Sequence, residues 1–130
     1  MLAIFASGTG TTLQTLMDCQ ERYNYQVSLV VTNRVCLAQE RAEQAGVTTL
    51  LSKDWQEIDQ ALIRHHIQLI VLAGFLAIIP QWFCEKWDKK IINIHKNLRK
   101  CVAGDLVIQD SIQNTLRNLF IKLITSHKSA

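Results

Sequence analysis

Leu2-Ala3-Ile4-Phe5-Ala6-Ser7-Gly8-Thr9-Gly10-Thr11-Thr12-Leu13 is the stretch that decides the fold. Five apolar residues in a row, with no polar alternation, have the length and character of a strand buried on both faces. The run breaks at Ser7-Gly8-Thr9-Gly10, and Leu13, Leu16 and Met17 then take up helical spacing. The order is strand, glycine-rich turn, helix. Two glycines allow a tight turn and close backbone approach. Thr11 and Thr12 stand where a helix N-cap is expected, offering N–H groups and the positive end of the dipole to an anion. A phosphate fits such a site, and so does a plain structural turn. The turn is not a dinucleotide fingerprint, because Leu13 replaces the third glycine of G-x-G-x-x-G, and no G-K-[ST] follows to make a P-loop.

The alternation continues along the chain. Val27–Thr32 is a β-branched run, and residues 37–45 place Ala38, Ala42 and Ala45 at helical spacing with Gly46 as the C-cap. Residues 47–51 form a short strand, and Ser52 caps a helix with Trp55, Ile58, Leu62 and Ile63 on one face. His65 and His66 close that helix, where the dipole favours them; this reading is preferred to a metal site or proton shuttle. Residues 68–73 are the most apolar strand, and Gly74-Phe75-Leu76-Ala77-Ile78-Ile79 carries that character into what should be a loop. An apolar loop at the carboxyl end of a parallel strand packs under another segment or lines a ligand pocket. Pro80, the only proline, opens a short helix bearing Trp82, Phe83 and Trp87.

Lys90-Ile91-Ile92-Asn93-Ile94-His95 then ends a last strand with an amide and an imidazole two positions apart. Strand residues at that spacing share a side, so Asn93 and His95 emerge together at the carboxyl end, where open α/β sheets bind ligands. An amide can hold a carbonyl oxygen as charge develops on it, and an imidazole can move a proton near neutral pH. The bland alternative is that both cap the strand and satisfy backbone groups.

Strands alternating with helices imply an α/β fold, an open, twisted parallel sheet with right-handed crossovers and helices on both faces. At 130 residues, 48% hydrophobic and 19% charged, the chain suits one compact domain with a real core. Charge divides it unevenly. Through His95 there are 8 Lys/Arg against 9 Asp/Glu, a balance of −1, whereas residues 96–130 hold 6 against 2, a balance of +4. The expected organisation is an α/β domain over residues 1–95 and an atypical basic tail over 96–130, packed on the same domain. Asp110 can cap a tail helix with Ile112, Leu116, Leu119, Phe120 and Leu123 on one face. The tail lacks aromatic interleaving, so it reads as a solvated basic face rather than a nucleic-acid surface. Cys19, Cys36, Cys84 and Cys101 form no Cys-x-x-Cys pair and read as reduced, mostly buried thiols. No apolar run approaches the ~18 residues of a membrane span, and Met1-Leu2-Ala3-Ile4-Phe5 lacks the basic start of a signal peptide. A cytoplasmic protein without a membrane partner is expected.

Three stretches in this order, residues 5–14, Val71-Leu72-Ala73-Gly74-Phe75-Leu76 and Ile91-Ile92-Asn93-Ile94-His95, resemble the phosphoribosylglycinamide formyltransferase family of de novo purine biosynthesis. The resemblance covers nearly all of residues 1–95, including Asn33 and Glu40-Arg41-Ala42. It implies a Rossmann-like formyltransferase fold and transfer of a formyl group from 10-formyltetrahydrofolate, the co-substrate, to the amine of glycinamide ribonucleotide. It further implies that Gly10, Thr11 and Thr12 hold the substrate phosphate. Leu76, Ala77, Ile78 and Ile79, with Asn93, would receive the folate. Asn93 would polarise the formyl group, and His95 would stabilise the tetrahedral intermediate and relay protons; no metal is implied.

The chain also departs from the family pattern. Pro-Ser-Leu-Leu-Pro usually follows the histidine, where Lys96-Asn97-Leu98-Arg99-Lys100 stands here, so the C-terminal part reads as incomplete or altered. Ala77 stands where a basic residue is common, and Thr11-Thr12 replaces Ser-Asn. The family's catalytic aspartate would fall at or beyond Ala130, and neither Asp105 nor Asp110 has its context. A lost reading frame and an internal deletion both account for the tail. An impaired enzyme is therefore expected unless another chain supplies the carboxylate. The alternative is a non-catalytic fragment that binds a nucleotide or a subunit, including a second copy, through the exposed sheet edge or tail helix. tRNA formylation shares the chemistry, but nothing here resembles a tRNA-binding domain.

Overall fold

The computed structural model of the chain describes residues 1–94. His95, Cys101 and the expected tail helix lie outside the described residues. The chain runs β1 (Leu2–Ala6), α1 (Thr11–Asp18), α2 (Gln20–Tyr23), β2 (Val27–Thr32), α3 (Leu37–Gln44), β3 (Thr48–Leu51), α4 (Trp55–Arg64), β4 (Leu69–Ala73), α5 (Gln81–Lys86) and β5 (Ile91–Ile94). The five strands form one sheet in the order β3-β2-β1-β4-β5, every pair parallel. β1 and β4 are buried along their whole length, as their unbroken apolar runs require. β3, an outer strand, is half-exposed and begins with two threonines.

Alternation along the strands feeds two cores. Leu2, Ile4 and Ala6 face α1 and α3, packing with Leu13, Leu16, Met17, Ala38 and Ala42. Ala3 and Phe5 face α4 and α5, packing with Ile58, Leu62, Phe83 and Trp87. Helices thus cover both faces, and each fully buried large apolar side chain contributes about 1.5–3 kcal/mol. On the second face Phe5, Trp55, Phe75 and Phe83 form an aromatic cluster, with Phe5–Phe75 centroids 5.3 Å apart and Trp55–Phe83 centroids 4.9 Å apart. Buried Asp59 of α4 ties down α5, accepting from Trp87 Nε1 at 2.9 Å and Lys86 Nζ at 2.6 Å.

Strand order sets the place for a ligand. The chain steps outward from β1 through β2 to β3, then returns to the other side of β1 for β4 and β5. Connections after β1 and β4 leave toward opposite faces, which opens a crevice at the carboxyl ends between them.

Several local expectations are corrected. Asp54, not Ser52, caps α4, its carboxylate accepting from Gln56 N at 3.0 Å; buried Ser52 instead accepts from Asp54 N through its hydroxyl. Ile63 leaves the apolar face of α4 and is 53% exposed, because five helical residues from Ile58 amount to roughly 140° of rotation. Ala45 caps α3, and Gly46 follows it at φ 75°, the left-handed residue just past the end. β3 starts at Thr48, leaving Val47 to pack on the first core. His65 caps α4 as expected, and His66 turns the chain at φ 55°. Among the described cysteines, Cys84 is exposed, Cys19 and Cys36 are only partly buried, and none of the three forms a disulfide.

Candidate functional site

The turn after β1 is built around Gly10, which adopts φ 77° and caps α1, so that Thr11 opens the helix rather than capping it. The expected threonine cap is corrected by a packing constraint: a Cβ on Gly10 would stand 2.7 Å from Ala38 Cα, and only glycine lets α3 come so close. The Ala38 N–H donates to Gly8 O at 3.1 Å, locking the turn onto the first turn of α3. Thr11 is exposed and Thr12 buried, so the two threonines have different surroundings. Arg41 of α3 donates from Nε to Thr9 O at 2.8 Å, and Arg34 donates from Nε to Ser7 O. Two positive charges therefore flank the turn at the start of α1, where the positive end of the helix dipole also lies, an arrangement that favours an anion.

The apolar loop after β4 divides in two. Phe75 and Ile79 pack on the second core, whereas Leu76 and Ile78 are 68% and 93% exposed. Ala77 is half-buried between them. A cavity of about 380 Å³ elsewhere is lined by Gln56, Asp59, Gln60 and Trp82, none of them an expected site residue. Asn93 pairs with Leu72 near the end of β5 and is half-buried. Ile92 and Ile94 on either side of it pack into the first core. Asn93 consequently lies on the face of Phe5, Leu72 and the packed part of the apolar loop. Gly10, Thr11, the 76–79 loop and Asn93 thus all sit at the carboxyl rim of the sheet.

One residue at this rim was missed by sequence reasoning. Ser7, fully buried at the end of β1, donates its hydroxyl to Asn33 Oδ1 at 2.7 Å and accepts from Leu76 N at 2.9 Å. It joins the connections after β1, β2 and β4. A polar residue closing an apolar run was the only signal available.

A family model described as formyl transferase matches residues 1–118. The chain belongs to the formyl transferase family. Human trifunctional purine biosynthetic protein adenosine-3 is 32% identical over 124 residues, 86% of this chain and 12% of that protein. Phosphoribosylglycinamide formyltransferase of Haemophilus influenzae is 31% identical over 124 residues, again 86% of this chain, and 58% of its own length is matched. This formyl transferase chain therefore spans between about a tenth and three-fifths of these two relatives. Among solved structures, phosphoribosylglycinamide formyltransferase from Anaplasma phagocytophilum superposes with a TM-score of 0.68 at 31% identity, covering 72% of this chain and 48% of that one. Glycinamide ribonucleotide transformylase 1 from Geobacillus kaustophilus gives 0.69 at 29%, covering 90% and 66%. The five-stranded parallel sheet is thus the formyltransferase Rossmann-like fold. Among the described residues no cluster of three or more His, Cys, Asp or Glu is placed to hold a metal, and no helix is long and apolar enough to cross a membrane.

Proposed function

We propose that this chain binds glycinamide ribonucleotide and 10-formyltetrahydrofolate at the carboxyl rim and carries the elements of formyl transfer between them. The observation that carries the reading is the Gly10 turn, locked on α3 and flanked by Arg34 and Arg41, facing the apolar loop across the β1/β4 crevice. Gly10, Thr11 and Thr12 receive the phosphate; Leu76, Ala77, Ile78 and Ile79 receive the pterin, a flat ring suited to the exposed side chains of Leu76 and Ile78.

In the reaction the substrate amine attacks the formyl carbon, a C–N bond forms and the carbonyl electron pair moves to oxygen. The Asn93 amide donates to that oxygen as its charge grows. On collapse the bond to the folate nitrogen breaks, and the proton lost by the amine passes to that nitrogen, with His95 as the relay.

Calorimetric titration of purified, folded protein with glycinamide ribonucleotide and, separately, a non-reactive 10-formyltetrahydrofolate analogue tests the reading. Binding of both is expected, together with turnover that Asn93→Ala lowers ~100-fold or more. Binding of neither ligand by folded protein refutes the proposal and leaves a subunit-interaction module.

A further inference from the structure

We propose that Ser7 is a positioning residue that couples the two sides of the crevice, so that occupation of the glycine turn raises affinity at the apolar loop and the reverse. The inference rests on the proposed function, which supplies a ligand for each side. Its structural basis is separate.

The sheet order brings β1 and β4 together with their connections diverging. The Leu76 N–H reaches across that divergence to the Ser7 hydroxyl, joining residues 69 positions apart. The hydroxyl has one proton, and the Asn33 carbonyl oxygen takes it at 2.7 Å, which leaves a lone pair toward Leu76. The Ser7 carbonyl in turn accepts from Arg34, and the next residue, Gly8, accepts from Ala38 of α3. Every hydrogen-bonding bond named here is inside a buried or half-buried junction, so displacing Ser7 disturbs all of them together.

Leu76 is the first residue beyond Phe75, whose ring is fixed against Phe5. Its side chain projects outward while its amide is held by Ser7, so the Ser7 hydroxyl sets the direction in which the exposed apolar side chains leave the sheet. An anion bound by the turn would hold Ser7, and through its hydroxyl the Leu76 amide, more firmly, so that less motion is left for the second ligand to restrain. By linkage the effect is reciprocal.

The test is a pair of titrations read as a ratio. Affinity for the non-reactive 10-formyltetrahydrofolate analogue is measured alone and with saturating glycinamide ribonucleotide, in wild type and in Ser7→Ala. Wild type is expected to tighten about fivefold or more, and Ser7→Ala to bring the ratio close to one, whatever it does to each affinity alone. A loss of packing alone would weaken both titrations without cancelling the ratio. Wild type supplies a second readout that stands even if the variant fails to fold: glycinamide ribonucleotide alone slows hydrogen exchange at the Leu76 amide about fivefold or more. Independent binding of the two probes by wild type, a ratio retained in Ser7→Ala, or unchanged Leu76 exchange overturns the coupling while leaving the proposed function intact. Failure of wild type to bind either probe overturns both.

Discussion

Gly10→Ala concentrates several costs at one atom. The added Cβ would lie 2.7 Å from Ala38 Cα and 3.0 Å from both Ala38 Cβ and Arg41 Cδ. Arg41 can swing aside, but Ala38 is buried backbone of α3 and must move bodily. Holding alanine at φ 77° costs about 1–2 kcal/mol, and overpacking against a helix adds about 1–3 kcal/mol. Pushing α3 outward also stretches the Ala38 N–H bond to Gly8 O, worth roughly 1 kcal/mol. The sum, about 3–6 kcal/mol, is a large share of the 5–15 kcal/mol that stabilises a typical domain. Gly46 is the internal control: it has φ 75° and no heavy atom within 4 Å of its added Cβ, so Gly46→Ala isolates the backbone strain at about 1–2 kcal/mol. Urea unfolding followed by tryptophan fluorescence measures both variants. With a slope near 2 kcal/mol per M, Gly10→Ala should lower the midpoint by about 2 M and Gly46→Ala by less than about 1 M. Equal shifts would show that close approach of α3 does not explain the glycine, and would refute the account of the turn.

Asp59→Ala leaves the buried Trp87 indole N–H without its acceptor and should cost about 1–3 kcal/mol, whereas Asp59→Asn keeps an acceptor and should cost less; urea midpoints decide, and identical losses would discount the indole bond. The Tyr25 hydroxyl donates to the Leu16 carbonyl, and Tyr25→Phe should cost about 1 kcal/mol at neutral pH, read from the same unfolding curves. Burial above all, with Cys19, Tyr23 and Asp18 adding, raises the Tyr25 pKa above its ordinary 10.0. Above pH 10 the unfolded phenol ionises first, so the unfolded state binds fewer protons and stability falls as pH rises. That contribution is intact below pH 10 and is lost on approach to the folded value; wild type should therefore lose more stability than Tyr25→Phe between pH 10 and about pH 11, and equal losses would contradict it.

How much of this was legible varies from element to element. Leu2–Ala6 was read to the residue, because a strand covered on both faces must be apolar throughout and such a run has sharp ends, and the β-branched run Val27–Thr32 was read with equal accuracy. The cap of α4 was misplaced by two residues, since Ser52 and Asp54 are both good caps and only the path of the chain into the helix separates them. Ile63 was misassigned because hydrophobicity does not tell a core position from an exposed one at the margin of a helical stripe.

The candidate site divides along the same line. Gly10, Thr11, Thr12, the 76–79 loop and Asn93 were named from local pattern and family resemblance, which record residue types and spacing along the chain. Strand alternation also required a parallel sheet, because consecutive parallel strands need crossover helices. Tertiary structure alone decided the strand order β3-β2-β1-β4-β5, and with it the crevice between β1 and β4. It alone explained why Gly10 must be glycine, since the clashing atom belongs to Ala38 on another helix. Ser7 is the clearest instance: its partners are 26 and 69 residues away, and a hydrogen bond between such distant positions leaves no period or spacing in a sequence.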